Sequence, residues 1–536
     1  MGETPLWQLF RDAGEPGASE AVDLLAGRLA RIGADPVLEG VATTGERLEM
    51  LTLMPLAGRP RLLVRLDERS RGAAWRLTTR SWRDGRWVAE TRPDDPWHAV
   101  RDLVAAFDSD PASAGPIAVA LAATDPDGRR RERAVSAMAG LRRPEHLPFL
   151  ALRCDDWVPR VRGAAAEALT EALRERPEHQ LRVALPMAAH LSGRRRGGMA
   201  LRIIELLVED DFARYAPLLL HDRDRRGRRL AFTVGQRQDR WAYADLIRFA
   251  TREPDPAVRL EAARLVTRAA VDRRDADALR ELAGVRFVAV RSLALAGLAE
   301  LGHDDEVAAT LTDPAPLIRA FARSRATRPA ERYRMLLSSD QIPPDSPVDV
   351  VCGAILGLAE MGDRRDAPLL HPFLRHRAPR LRAAAVRGLV LLDSVPIEET
   401  VPLLTDPHRH VVREASIALR TYPRRLPAEL PWTLLADPRP EVRLGGFRLL
   451  TAHHPIVRLT AALTLAVDPD AVLAHRGRMA AVGLIFVLAD RFLEPAPPSG
   501  VDREHVAILP ALLEQARPRL GRHDARLRAV LTRWPV

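Results

Sequence analysis

The sequence contains no lysine and no asparagine, so all 81 basic residues among its 536 are arginine. Both absent residue types are encoded by AA-rich codons, and their joint absence indicates a GC-rich genome. Part of the arginine content therefore reflects mutational bias. The formal net charge of +10 is accordingly weak evidence for a nucleic-acid partner.

Cysteine and long apolar runs are also scarce. Cys154 and Cys352 are too few and too far apart to suggest a disulfide framework. The longest apolar run near the C-terminus, residues 479–489, is shorter than the ~20 residues that a membrane span requires. The first residues show no basic segment followed by an apolar one. We expect a cytoplasmic protein that does not enter a membrane.

What the sequence does contain is one short phrase, repeated mostly at intervals of about 31 residues or a multiple of that interval. It consists of Asp-Pro, three variable residues, an aliphatic residue, Arg, two residues, Ala, two residues and Ala-Leu. Its apolar positions share one face of a helix, with Asp as the N-cap and Pro at the first helical position. We expect its Asp and Arg residues to pair along the turn edge: Asp125, Asp156, Arg162, Arg259, Asp313, Arg319, Arg382, Asp406, Asp437 and Arg443.

Each phrase predicts the second helix of a pair. The first helix is indicated upstream, for example after Gly302 and Gly362, which occupy positions typical of a C-cap. Two helices and two turns in about 31 residues leave no space for a strand. We count about ten to twelve copies over residues 111–490. The copies near 193–207 and 350–358 match the phrase less closely.

The phrase and the Leu-Gly turn resemble the HEAT-repeat family, in its short E-Z or phycobilisome-lyase form. This resemblance implies a mostly α fold, an α-solenoid whose stacked helix pairs curve into a right-handed superhelix with the phrase-bearing helices on its concave wall. It further implies binding through many shallow contacts over an extended surface.

The two ends of the chain depart from the repeat. Residues 1–110 predict a small α+β domain: a helix over 19–33, an antiparallel meander with a hairpin turn at 84–87, and a helix over 96–107. Residues 491–536 predict a linker followed by helices that cap the last repeat.

Enzymatic chemistry has little support in the sequence. Deoxyhypusine hydroxylases, which share this repeat, bind iron through His-Glu pairs, and this chain has no His-Glu dipeptide. No residue of the lyase branch can be carried over. We expect no metal and no cofactor.

A HEAT-like alkylpurine DNA glycosylase remains an alternative, since such enzymes use aromatic and acidic residues in a basic groove. Trp157 beside Asp155, and Trp241 beside Asp239, are the pairs that fit this description. Asp156, however, is the expected helix cap.

Dense arginine clusters are the remaining candidate site, because guanidinium groups bind carboxylates and phosphates in bidentate fashion. The candidate residues are Arg194, Arg195, Arg196, Arg223, Arg225, Arg226, Arg228 and Arg229. The sequence favours a non-catalytic scaffold for a protein or peptide partner, possibly acidic. Nucleic acid remains a discounted alternative, and a solvated surface is the simpler one.

Overall fold

The computed structural model describes residues 6–15, 19–35, 52–83, 86–91, 95–111, 114–194, 196–222, 224–338, 347–490 and 501–534. Two compact units divide the chain, Met1–Val266 and Thr267–Val536. The described part of both units is almost entirely helical. The predicted mostly α solenoid is therefore confirmed.

The helices before residue 274 are α1 Leu6–Gly14, α2 Ser19–Ala34, α3 Met54–Ala57, α4 Pro60–Leu77, α5 Trp97–Ser109, α6 Pro116–Ala122, α7 Gly128–Leu141, α8 Leu147–Arg153, α9 Pro159–Glu175, α10 Pro177–Leu191, α11 Met199–Asp210, α12 Phe212–Leu220, α13 Arg225–Arg237, α14 Tyr243–Arg252 and α15 Pro256–Arg273.

The later helices are α16 Ala276–Ala283, α17 Val288–Glu300, α18 Asp304–Ala308, α19 Pro316–Arg325, α20 Pro329–Leu337, α21 Val348–Ala359, α22 Ala367–Leu370, α23 Pro379–Leu391, α24 Ile397–Thr400, α25 Arg409–Leu419, α26 Leu430–Leu435, α27 Pro440–Leu450, α28 Pro455–Ala466, α29 Ala471–Leu488, α30 Val501–Val506, α31 Leu509–Leu520 and α32 Asp524–Leu531.

Most repeat turns are built on an anchor residue six positions before the phrase arginine. In the last full phrase, Asp437 accepts a hydrogen bond from the amide of Arg439 at 2.8 Å, and Arg443 Nη1 donates to the Asp437 carbonyl at 3.0 Å. The same arginine-to-carbonyl bond recurs through both units. Its anchors are Asp125, Asp156, Asp222, Glu253, Val285, Asp313, His376 and Asp437.

Several phrase arginines also reach the anchor of the following repeat, and these pairs form the rungs of a ladder. Arg382 Nε lies 2.8 Å from Asp406 Oδ2, and its Nη2 lies 2.9 Å from Oδ1. Because one guanidinium group binds a carbonyl in its own turn and a carboxylate in the next, each rung fastens two repeats together. The rungs are Arg131–Asp156, Arg228–Glu253, Arg291–Asp313, Arg382–Asp406 and Arg443–Asp468.

Some copies lack a rung. Arg319 is directed instead to Glu360, and Arg162 binds the carbonyl of its own anchor, Asp156, at 2.8 Å. In the copy anchored by Asp406, the arginine position holds Val412, which is fully buried. The neighbouring Arg413 lies on the exposed surface.

The phrase also places its small residue in the core. Nine positions after the anchor, the side chains have no measurable exposure; they are Ala134, Ala165, Ala231, Ala262, Ala294, Ala322, Ala385 and Ala415. Glycine takes this position in the next two copies, as Gly446 and Gly477. A Cβ at Gly446 would lie 2.5 Å from the Pro431 carbonyl oxygen, so the paired helices approach within backbone contact there.

The predicted N-terminal α+β domain is wrong in its central part. Residues 60–77, part of the expected meander, contain an alternation of Leu62, Val64 and Leu66 that favours a strand, but they form helix α4 instead. A short apolar run fits both periods, and in the helix these three residues and Leu63 are all buried. The remaining sheet is one hairpin, β1 Thr78–Arg83 and β2 Arg86–Thr91, with Trp82 opposite Trp87.

The flanking helices of this region, α2 and α5, lie where the sequence predicts them. Residues 38–51 of the expected meander lie outside the described residues. One cluster of buried apolar residues extends from Leu9 to Val234, so the N-terminal helices share a core with the repeats. An independently folding unit over 1–110 stays a prediction.

The C-terminal helices cover the last repeat. Leu512, Leu520 and Trp534 are buried in the same apolar cluster as α28 and α29, and Trp534 Nε1 donates to the Leu488 carbonyl at 3.1 Å. The expected linker at 491–500 lies outside the described residues. Helix α31 continues through Pro518 to Leu520.

Candidate binding site

The cluster predicted at Arg223–Arg229 is largely occupied by internal contacts. Arg228 is a ladder arginine bound to Glu253 at 3.0 Å, and Arg229 Nε lies 2.9 Å from the buried carboxylate of Asp255. Arg226 donates to the Pro186 carbonyl at 3.2 Å. Arg225 is exposed, and Arg223 lies outside the described residues.

Arg194 and Arg196 lie in a different setting, at the mouth of an open cavity of about 370 Å³. Arg195, between them, lies outside the described residues. The cavity is lined by α4, by the turn after α8 and by the loop after α10. Its lining residues, which we call the Trp157 cavity, are Asp67, Glu68, Arg71, Leu152, Arg153, Asp155, Trp157, Arg194 and Arg196.

The floor of the Trp157 cavity is a buried network of charges. Arg153, which is 1% exposed, pairs with Asp67 and lies 2.9 Å from Asp156. Asp156 is also the ladder partner of Arg131, at 2.8 Å. Arg71 lies 3.0 Å from Asp67. The Asp156 carboxylate therefore belongs both to the ladder, through Arg131, and to the floor of the cavity, through Arg153.

Two floor nitrogens have no hydrogen-bond partner in the structure, the buried Nε atoms of Arg153 and Arg71. An unpaired N–H on a buried guanidinium group is unfavourable by about 1–3 kcal/mol or more. Both atoms lie beneath the accessible surface of the floor, so these nitrogens themselves do not face the open cavity.

The rim adds further cations and one aromatic ring. Arg194 lies 3.3 Å from Glu68 and 3.8 Å from Asp155, and Arg196 is exposed. Trp157 is 59% exposed, with the guanidinium of Arg131 at 5.8 Å from its ring centroid. An exposed indole beside charged groups can cover an apolar part of a ligand.

The cavity lining carries charges of both signs, with one more cation than anion. Four of its lining residues are arginines and three are carboxylates. Burial raises the pKa of Asp155, against the opposing effect of Arg194, Arg153 and Arg196. Burial also raises the pKa of Asp156, but hydrogen bonds from Arg131 and the charge of Arg153 outweigh that effect, and the net pKa is lowered.

The two Trp–Asp pairs that fit a glycosylase differ in their surroundings. Trp241 lies in an aromatic cluster, with ring centroids 5.0 Å from Phe249 and 5.3 Å from Phe212, and its Nε1 donates to the Phe232 carbonyl. Asp239 occupies a turn with φ of 52°. These contacts are structural. Trp157 and Asp155 remain open to the cavity.

The described residues contain no group of three or more His, Cys, Asp or Glu side chains that could hold a metal ion. Histidines of the C-terminal half instead contact single carboxylates. His453 lies 3.0 Å from Asp502, and His408 lies 3.6 Å from Asp406.

One helix among the described residues, α29, is long and apolar enough to cross a membrane by length and composition. The apolar segment is longer than the sequence indicated, because the helix begins at Ala471, before the apolar run of residues 479–489. The helix carries Arg476 and Arg478 and buries Leu473, Ala481 and Leu488 in the core of its unit. Val472, Met479 and Phe486 of the same helix are exposed.

Sequence reasoning missed four charged cavity residues: Asp67, Glu68, Arg71 and Arg153. The first three lie on α4, which was read as strand. The i,i+4 spacing of Asp67 and Arg71 was an available helix signal. Arg153 precedes the phrase and gives no signal in a single sequence, because only the fold brings it to Asp67.

No family model matches the chain, and no curated protein matches it significantly. Among solved structures, it is similar to the karyopherin Kap121p bound to the extreme C-terminus of the protein phosphatase Cdc14p, with 10% identity and a TM-score of 0.31, over 98% of this chain and 64% of that chain.

Importin beta gives 13% identity and a TM-score of 0.25, over 98% of this chain and 70% of that one. Kap95p, whose binding induces the switch loops of RanGDP to adopt the GTP-bound conformation, gives 11% identity and a TM-score of 0.27, over 81% of this chain and 63% of that one. Similarity at this level carries no argument about partner or activity. The assignment to helical repeats depends on the anchor and ladder geometry of the chain itself.

Proposed function

We propose that this chain is a non-catalytic scaffold that binds a protein or peptide partner, and that the Trp157 cavity holds an acidic group of that partner. The observation that carries this proposal is the pair of exposed arginines, Arg194 and Arg196, at the mouth of an open cavity whose floor holds the buried Arg153 guanidinium group. A carboxylate at the mouth can accept hydrogen bonds from Arg194 and Arg196.

Trp157 explains why a peptide suits the cavity better than an isolated small anion. Its exposed ring can pack on the stem of a glutamate or on a neighbouring apolar residue. Because the arginines are partly exposed, their contribution should weaken as salt screens the charges.

Fluorescence anisotropy with a labelled glutamate- and leucine-rich peptide tests this proposal. The double variant Arg194→Glu, Arg196→Glu should weaken binding by about tenfold or more, and Trp157→Ala should weaken it less. The matched control, Arg174→Glu with Arg176→Glu, has the same charge change at exposed positions and should bind like the wild type. Equal affinities for the two double variants would contradict the proposal.

A second candidate function is favoured by Trp157 and Asp155 together. An open indole beside a carboxylate, flanked by arginines, is also the arrangement that a base-processing HEAT-like enzyme would need. This function predicts release of an alkylated base from duplex DNA, lost in Asp155→Asn. Absence of release by the wild-type protein, together with peptide binding, excludes it.

We also propose that the repeats are of the short E-Z HEAT type and that the protein is cytoplasmic. The repeat type is supported by the regular spacing of Asp406, Asp437 and Asp468 and by the short helix pairs between them. The cytoplasmic assignment is supported by cysteine usage, with Cys154 buried and both thiols free.

A further inference from the structure

A second positively charged surface lies in the Thr267–Val536 unit, far along the chain from the Trp157 cavity. It is formed by the second helices of successive repeats, α21, α23, α25, α27 and α29. Two features meet on it, a groove and a cluster of arginines, and both were absent from the sequence-based candidates.

The groove has a volume of about 230 Å³ and crosses α21, α23 and α25. Gly353, Ala383 and Ala384 are among its small lining residues. Arg380 and Arg387 line it as well, together with His410. Arg380 pairs with Asp349, whereas Arg387 is exposed and has no carboxylate partner among the described residues.

The arginine cluster continues from the groove onto α27 and α29, and we call it the Arg448 cluster. It consists of Arg413, Arg420, Arg448 and Arg476. Arg448 is half-buried, and its Nη1 donates to the Ser416 hydroxyl at 3.3 Å. Glu414, which also lines the groove, lies 3.7 Å from Arg413.

The break in the ladder accounts for one member of this cluster, Arg413. In the copy anchored by Asp406, Val412 takes the buried position that arginine takes in other copies, and Arg413 follows one residue later on the helix face. The Asp437 carboxylate is then paired by Arg439 of its own turn. An arginine that elsewhere fastens two repeats is here presented to solvent.

The arginines of the Arg448 cluster influence one another. Burial and the charges of Arg476, Arg413 and Arg420 lower the pKa of Arg448, and only Glu414 opposes them. Their combined charge would favour an anion bound beside them.

We propose that the groove and the Arg448 cluster together bind an extended acidic peptide segment of a partner protein. Packed helices are about 8–10 Å apart, and an extended chain advances about 3.3 Å per residue. A peptide lying across the helices therefore passes one repeat for about every three residues. Glutamate or aspartate at that spacing would meet Arg387, then the Arg448 cluster.

The lining of the groove favours a peptide over single-stranded nucleic acid. Leu356, Cys352 and the alanines contribute aliphatic surface, and no Phe, Tyr or Trp is among the described lining residues. Sequence-independent binding of single strands depends on aromatic rings on which bases stack. Aliphatic surface between arginines instead suits a peptide that alternates acidic and apolar residues.

The test uses the full-length protein carrying Arg194→Glu and Arg196→Glu, so that the Trp157 cavity does not contribute to the signal. Anisotropy is measured with a labelled peptide that has glutamate at every third position and leucine between. In this background, Arg420→Glu with Arg476→Glu should weaken binding by about tenfold, and added salt should weaken the parent interaction.

The control is Arg332→Glu with Arg365→Glu, two exposed arginines on the first-helix side of the same unit, which should leave affinity unchanged. A second test is Arg448→Gln, which removes the charge but keeps a hydrogen-bond donor. This variant should also weaken peptide binding, and thermal melting checks that it is folded. No peptide binding by the parent, equal affinities for the two double variants, or tighter binding of a thymidine oligonucleotide would each overturn the proposal.

Discussion

Ladder arginines and surface arginines of this chain have different energetic roles. Arg382 has side-chain exposure of 13% and binds the 6% exposed carboxylate of Asp406. Burial raises the pKa of Asp406, but the hydrogen bonds from Arg382 and from the His408 amide, together with the charge of Arg382, outweigh that effect and the net pKa is lowered. Removing the arginine would leave a buried carboxylate that accepts from the His408 amide at 2.8 Å and lies 3.6 Å from the His408 ring.

Arg382→Ala should therefore lower the free energy of unfolding by about 1–3 kcal/mol. Arg162→Ala is the matched control, because Arg162 binds a main-chain carbonyl and its replacement leaves no carboxylate unpaired. Its loss should be smaller, about 0.5–1.5 kcal/mol. Urea unfolding of both variants measures the difference, and equal losses would contradict the inter-repeat rung.

The distance between paired helices depends on the residue nine positions after each anchor. Alanine fills this position in most phrases, and the helices separate just enough to hold its methyl group. Gly446 marks a closer crossing, where the backbone of α26 occupies the place of a Cβ. Gly163, by contrast, lies on α9 with nothing within 4 Å of its ideal Cβ.

These two glycines predict opposite outcomes for the same substitution. Gly446→Ala should destabilise the protein by about 1–3 kcal/mol, since the backbone of two helices must separate. Gly163→Ala should stabilise it by about 0.5–1 kcal/mol through helix propensity. Thermal melting of both variants is the measurement, and a stabilising Gly446→Ala would show that the helices move apart freely.

Over the whole molecule, buried titratable groups make stability depend on pH in one direction. Burial lowers the pKa of His146, whose Nε2 lies 3.0 Å from the Pro116 carbonyl. The unfolded state then binds the proton more readily, so stability present above about pH 6.5 is lost as the pH falls below it. The ladder carboxylates Asp156 and Asp406 have lowered pKa values, and their contribution is lost at more acidic pH, below about 4.

Stability should consequently decrease in two stages on acidification, the first through His146 and the second through the ladder. His146→Gln keeps an N–H donor for the Pro116 carbonyl but does not titrate. It should reduce the slope of unfolding free energy against pH between about 6.5 and 5. Chemical denaturation at a series of pH values measures this slope, and an unchanged slope would rule out His146 as its source.

The sequence alone determined the repeat, because local rules suffice for it. An aliphatic residue and a small residue at fixed spacing specify a helix and its buried face. The expected N-cap was wrong by two residues: in the copy anchored by Asp437 the N-cap is Arg439, and the Asp437 side chain accepts a hydrogen bond from the amide of that residue. Repetition of Asp-Pro and of the buried small residue in the copies anchored at 406, 437 and 468 then required neighbouring helices to stack. Arg382 and Asp406 needed no further information to be expected near each other.

Only the tertiary structure decided the binding surfaces. The alternation of Leu62, Val64 and Leu66 fits strand and helix alike, and burial against the rest of the core selected the helix. That helix brings Asp67 and Arg71 to Arg153, a contact across 86 positions between Asp67 and Arg153 that no local pattern encodes. Likewise, the single-residue shift from Val412 to Arg413 is visible in the sequence, but its consequence depends on which helix face the neighbours leave open.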